Sequence, residues 1–358
     1  MKSRIFFLSK AIVFLAVTLF CLNNNTLAQP SVRDTLNPSY GLFKNEEPLE
    51  ITLQFDLAAY LRTKPKEEYL KGIITFKPGT ANSMTRDIRL RTRGVFRNLE
   101  CYYAPIELNF KDADFGYTDM DSIGKLKMVV QCMPGSESEK NVLTEYLIYK
   151  LFAALTDTCF RVRLLTVNYT DSEGKKKPFT QFGFFIEPTQ MLAARTNSVE
   201  IKSRALNQKT IYPSMIDRIA IFNYMIGNYD WAVPNQHNIK IFKPMVIESE
   251  YLVTAVPYDF DFTGLVDAGY AIPDDKITGT TSIRERIFLG VCRSREVYQK
   301  DLEEFLEKKD ELYRLINEFP YLDARQKKDM IYYLDTFYDE CTGKQRVISV
   351  FLRSCKNF

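Results

Sequence analysis

Gly227-Asn228-Tyr229-Asp230-Trp231-Ala232-Val233-Pro234-Asn235-Gln236-His237-Asn238-Ile239-Lys240-Ile241-Phe242 is followed, after a segment that reads as a hairpin, by Val256-Pro257-Tyr258-Asp259-Phe260-Asp261-Phe262-Thr263-Gly264. This is the densest cluster of acids and amides in apolar surroundings along the chain. The first segment follows a helical pattern and ends in a strand, and the second ends another strand. Acid, amide and two further acids thus stand at the ends of adjacent elements, where they can converge. Asp and Asn supply the oxygen ligands that magnesium prefers, and magnesium usually keeps waters and nucleotide phosphates in its shell. A further Asp near such a metal can orient a hydroxyl for attack on a γ-phosphate.

Upstream of this cluster the pattern is mainly that of strands. Ile51-Thr52-Leu53-Gln54-Phe55 alternates apolar and polar residues, the period of a half-buried strand. Similar runs follow at 72–76, 88–92, 106–110 and 126–130, separated by turn-rich segments such as Lys77-Pro78-Gly79-Thr80. After Pro134-Gly135-Ser136, apolar residues at Val142, Leu143, Tyr146, Leu147, Tyr149, Leu151 and Phe152 predict one helix. Two more strands fit 162–169 and 179–186. Downstream, helices are predicted over 214–226, 282–288, 294–318 and 324–338.

The first 28 residues read as an export leader. Lys2 and Arg4 precede an apolar run from Ile5 to Leu22, and Ala28 suits signal peptidase cleavage. A retained membrane anchor is the competing reading. The chain carries 48 basic and 45 acidic residues; loss of the three leader bases leaves 45 of each. A neutral protein has no global electrostatic attraction to nucleic acid, so that class of partner is set aside. No second apolar run approaches membrane length, so no stable span is expected once the leader is cleaved. Six cysteines follow the leader, and an even number in an exported chain permits disulfides. Cys101–Cys132 and Cys341–Cys355 each join nearby segments and are the expected pairs, with a buried free thiol the alternative at any one cysteine. With one histidine, His237, and no Cys-x-x-Cys, a structural zinc site is not expected.

The order of motifs is similar to that of atypical protein-kinase-like proteins related to spore-coat protein H (CotH-like kinases). The matching residues are Arg93-Gly94, Lys125 and Lys127, Asn228-Tyr229-Asp230, His237-Asn238 and Pro257-Tyr258-Asp259-Phe260-Asp261, spanning 87–264 in the right order. The resemblance implies a protein-kinase-like, two-lobed α+β fold, with a strand-rich N-terminal lobe and a helical C-terminal lobe. The corresponding divisions are a leader at 1–28, a flexible lead-in at 29–48, the strand-rich lobe at 49–190, and the helical lobe with its catalytic loops at 191–358. It also implies ATP and Mg2+ as cofactors, with phosphoryl transfer to a protein or polysaccharide acceptor. Asp230 would be the catalytic acid, and Asn238, Asp259 and Asp261 the metal ligands, with Asn235 competing for the amide role. Lys127 would meet nucleotide phosphates, with Glu145 holding it by an ion pair, and Arg93 would lie near the nucleotide. The sequence departs from this pattern in having no Gly-x-Gly-x-x-Gly loop and in showing Asn-Tyr-Asp where kinases carry His-Arg-Asp.

Each residue also has a plainer reading. Asp230 could cap a turn before Pro234. Asp259 and Asp261 could form an exposed acidic face, and Lys127 the solvent side of a strand. Glu145 could sit on a helix surface and Arg93 in a structural ion pair, with His237 and Trp231 as packing residues. A catalytically silent secreted binding protein, periplasmic or on the cell surface, is therefore the alternative to the enzyme. A metal-dependent hydrolase built on Asp230, Asp259 and Asp261 is a third reading.

Overall fold

The computed structural model describes residues 39–246, 252–273, 279–342 and 346–357. The expected export leader, its cleavage after Ala28, and most of the lead-in lie outside the described residues, as does the crown of the hairpin predicted after Phe242.

Alternation makes Leu49–Phe55 a strand (β1) whose residues Leu49, Ile51, Leu53 and Phe55 all turn inward and are buried. Antiparallel pairing joins it to Leu70–Phe76 (β2), which continues through Met84–Thr92 (β3), Ile106–Asn109 (β4) and Lys125–Val130 (β5). Val162–Asp171 (β6) and Phe179–Ile186 (β7) complete the set, with β5 bonded to β7 and β7 to β6. Parallel pairing of β6 with β1 then closes a seven-stranded barrel. Short helices cross its connections at Leu57–Thr63 (α1), Phe96–Glu100 (α2) and Thr118–Asp121 (α3). None of the three carries a long enough apolar period to be legible in the sequence.

Two apolar clusters divide at the barrel wall. Leu53, Phe76, Leu90, Met128, Leu165 and Phe185 fill the interior. Their neighbours Val129, Leu164 and Phe184 face outward into a second cluster with the helices. Ser136–Ala153 (α4) lies there, buried almost all round from Val142 to Phe152. Then come Thr189–Arg195 (α5), Pro213–Ile226 (α6), Arg295–Glu318 (α7), Ala324–Thr342 (α8) and Arg346–Ser354 (α9). Ser198–Ile201 (β8), Ile239–Pro244 (β9) and Thr254–Pro257 (β10) form a separate antiparallel sheet in the order β10-β9-β8.

These findings correct the two-lobed, protein-kinase-like fold implied by the resemblance. The chain is mixed α+β, but its strand-rich half closes into a barrel, and the half expected to be helical carries its own sheet. Period-two alternation marks a strand without saying which strands meet, and closure depends on a pairing between segments far apart in sequence. The helix predicted at 282–288 is replaced by a turn, whereas α9 went unpredicted.

Cys101 and Cys132 are bonded, as expected. Cys355 pairs with Cys292 rather than Cys341, which remains a buried thiol. After α9 the chain turns back along 290–292, where Lys356 N donates to Gly290 O at 2.8 Å. That return, not nearness in sequence, selects the partner. Both disulfides are compatible with an exported protein. Among the described residues, no helix is long and apolar enough to cross a membrane.

Two glycines bring the loops after α6 and β10 into backbone contact. Gly227 ends α6 in the left-handed conformation (φ +69°), and Gly264 N donates to its carbonyl at 3.0 Å. A side chain on Gly264 would collide with the Tyr333 hydroxyl and lie 2.8 Å from the Ile283 carbonyl oxygen. Gly264→Ala is therefore expected to cost roughly 2–4 kcal/mol of stability through overpacking, read as a lower urea midpoint. An unchanged midpoint would show that this approach is not tight.

Candidate functional site

The loop after α6 is fixed from its buried end. Asn228 donates to Asn223 Oδ1 at 2.9 Å, and its own Oδ1 accepts from Asp230 N at 3.0 Å. The Asp230 carboxylate accepts from Asn238 Nδ2 at 2.9 Å and lies 2.7 Å from His237 Nε2. Asn238 Nδ2 also donates to the Asp230 carbonyl at 2.8 Å, leaving Asn238 Oδ1 as its remaining side-chain acceptor. Asn235, the rival for the amide role, instead accepts from His237 N at 3.3 Å within its own turn.

Asp259 comes alongside through the small sheet. Asn238 stands immediately before β9, Asp259 lies two residues past the end of β10, and Tyr258 N donates to Asn238 O at 3.0 Å. Both Asn238 (φ +50°) and Asp259 (φ +65°) adopt left-handed backbone, which Asn and Asp tolerate better than most residues. The Asp259 amide donates to the Tyr149 hydroxyl of α4 at 2.9 Å. Its carboxylate makes no hydrogen bond or ion pair among the described residues.

Asp261 and Glu145 are both buried. The cation between them is Arg97 of α2, whose Nη1 is 3.8 Å from each carboxylate. Its Nη2 donates to the Val130 carbonyl at 2.5 Å. The Tyr270 hydroxyl donates to Asp261 at 2.9 Å. Burial, then the Asp261 carboxylate, raises the pKa of Glu145, against the pull of Arg97. Burial, then Asp259, raises Asp261 in the same way. Burial disfavours the charge of Arg97, but Tyr270, Asp261 and Glu145 outweigh it, and its pKa is raised. Glu145 therefore pairs with Arg97, not with Lys127 as the resemblance implied.

Lys127 of β5 faces a cleft of about 200 Å3 whose walls include Glu107, Ile186, Lys240, Tyr258 and the segment 187–190, where β7 runs into α5. Its ammonium lies 5.2 Å from the centre of the Tyr258 ring. Among the described residues no carboxylate lies within ion-pair distance of it. Burial, then Arg93 and Lys240, lowers its pKa from 10.5 to about 8. Arg93 is thus close enough to act on Lys127 electrostatically, and its buried Nε has no hydrogen-bond partner. The wall at 187–190 is braced: Arg195 donates to the Glu187 carboxylate at 3.1 and 2.8 Å and to the Asp157 and Cys159 carbonyls, each at 2.7 Å. A larger cavity of about 590 Å3 lies on the barrel around Lys71, Arg89 and Asp112, and holds none of the candidate residues.

The donor set fits a hard cation. Among the described residues no three His, Cys, Asp or Glu side chains are grouped closely enough to enclose a metal by themselves. Magnesium does not need such a cage, because one or two carboxylates plus phosphate oxygens suffice. Arg93 Nε, Arg97 Nε and Glu145 Oε1 are all buried without a hydrogen-bond partner, an arrangement that favours an incoming polar ligand. Arg97, Tyr149, Tyr270 and Lys240 belong to this neighbourhood but carry no motif that singles them out in the sequence.

No family model and no curated protein matches the chain. A weak structural neighbour is a kinase, the Helicobacter pylori proinflammatory kinase CtkA. It is 12% identical, with a TM-score of 0.36, over 74% of this chain and 94% of that one. At that level the likeness carries no argument about the site.

Folding holds Lys127 where its charged form is disfavoured. The cost is full below about pH 8 and is relieved as pH rises toward 10.5. Lys127→Met is expected to raise stability at pH 7 by roughly 1–3 kcal/mol, with the advantage shrinking between pH 8 and 10.5. Urea midpoints of both proteins across that range test it; a variant no more stable at pH 7 would refute the buried-charge account.

Proposed function

We infer that the chain is a magnesium- and ATP-dependent phosphotransferase that works outside the cytoplasm on a protein or surface-polymer acceptor. The observation that carries this reading is the adjacency of Asp230, Asn238 and Asp259: Asn238 bonds to Asp230 directly and to the residue before Asp259 through the small sheet. Lys127 and Lys240, on the walls of the cleft between the barrel and this sheet, support the reading by offering positive charge to phosphate groups. The motif order shared with CotH-like kinases supports the same reading, and the two disulfides agree with export.

On this reading Asp230 orients the acceptor hydroxyl and receives its proton, its carboxylate held by Asn238 and His237. Lys127 meets the phosphates, with Arg93 adding positive charge behind it. Asn238 Oδ1 and the Asp259 carboxylate would hold magnesium, which supplies charge neutralisation to the transferring phosphoryl group. Asp261, occupied by Tyr270 and flanked by Arg97, has a supporting place beside the metal ligands. Catalysis of this kind rests on positioning and electrostatics, without a covalent intermediate.

One observation favours the silent binding protein instead: both oxygens of the Asp230 carboxylate are already engaged by the chain's own side chains. Incubation with γ-labelled ATP and magnesium separates the two. Label is expected on the protein or an added acceptor, reduced at least roughly 100-fold in Asp259→Ala and Asp230→Asn. Nucleotide binding with no transfer would favour the silent relative, and labelling that survives Asp259→Ala would overturn the enzyme reading.

A further inference from the structure

The short helix α2 carries Arg97 into the site from the connection after β3. Its far end is Cys101, bonded to Cys132 just past β5. The same span is held twice more: Arg97 Nη2 donates to Val130 O, and Tyr103 N donates to Cys132 O at 3.0 Å. Phe96 packs edge-on against Phe262 and at a tilt against Tyr270, with ring centres 6.3 and 6.1 Å away, on the loop that carries Asp261. Every hold on the barrel side is thus a covalent or hydrogen bond, while Nη1 of the guanidinium stands 3.8 Å from each acid. Among the described residues, Lys127 has no carboxylate within ion-pair distance, although Asp259 and Glu107 act on it from farther away.

We propose that Arg97 is the positioning residue of this site: it takes the place of the strand lysine as partner of Glu145, draws Asp261 to the same point, and is kept there by the Cys101–Cys132 disulfide. Lys127 is thereby released from ion pairing and free to meet a phosphate-bearing ligand. The assignment rests on the phosphotransfer reading for its ligand, but not for its geometry. Its corollary is that the site assembles fully only in a chain whose cysteines have been oxidised, the state expected after export.

Two measurements test it, the first needing no ligand. Double-mutant cycles on urea midpoints compare Arg97→Met with Glu145→Gln and Lys127→Met with Glu145→Gln. Coupling is expected for the arginine pair and not for the lysine pair; the reverse overturns the proposal. If Arg97→Met yields no folded protein, Arg97→Gln and Arg97→Lys serve in the same cycle. The paired change Cys101→Ser with Cys132→Ser is expected to abolish the Arg97–Glu145 coupling, and coupling that persists there removes the disulfide from the account.

The second measurement is titration with a fluorescent adenosine diphosphate, with and without magnesium. Magnesium-dependent affinity is expected to fall about tenfold in Arg97→Met and to recover in part with Arg97→Lys. Equal affinity in Arg97→Met and the unaltered protein overturns the positioning role. Should the unaltered protein bind no nucleotide while the arginine coupling is present, the phosphotransfer reading fails and the Arg97 assignment stands.

Discussion

The arrangement around the cleft depends on ionisable groups held out of water together: Arg97, Glu145 and Asp261. Two acids and one base cannot neutralise one another, and burial makes the excess negative charge more costly than it would be at the surface. The pKa values of both acids are raised accordingly. Replacing all three by apolar residues of similar size would give a simpler core. The presence of Glu145 in the buried stretch of α4, facing Arg97 and Asp261 from other elements, is therefore better understood as chemistry than as architecture. The three come from a barrel connection, a helix and the loop beyond the small sheet, so their meeting also registers these parts against one another.

Much of the secondary structure was legible because it is periodic. Alternation along Leu49–Phe55, the aromatic-rich run Phe179–Ile186 and helical spacing over Pro213–Ile226 name those elements with little error. Closure of the barrel was not legible. It rests on β1 meeting β6 side by side, and the inward pattern of β1 would be the same at the edge of an open sheet. Nor was the second disulfide, which depends on the path of the chain beyond α9.

The site was legible in part for a different reason. Asp230, Asn238, Asp259 and Asp261 are polar residues in an apolar setting, and such a departure from pattern is visible in one dimension. Arg97 has no such contrast, because it lies among Val95, Phe96, Asn98 and Leu99 with no period to interrupt. The nearby Arg93-Gly94 was the more obvious candidate. The left-handed backbone at Asn238 and Asp259 was equally hidden, since it is set by how the loops leave β9 and β10. Sparsely populated conformations of this sort persist only where surrounding structure enforces them; here the enforcing contacts are the Tyr258–Asn238 bond and the Tyr149 hydroxyl.

The join between β7 and α5 has a kinetic consequence. Arg195 ties Glu187 to the turn at Asp157 and Cys159, so the back wall of the cleft is fastened before any visitor arrives. On that side a molecule entering the cleft meets a surface already set, and no ordering of the 187–188 backbone is charged against its binding. Such a wall adds nothing to the barrier of entry, and the dwell time of a guest against it follows from the contacts it must break to leave.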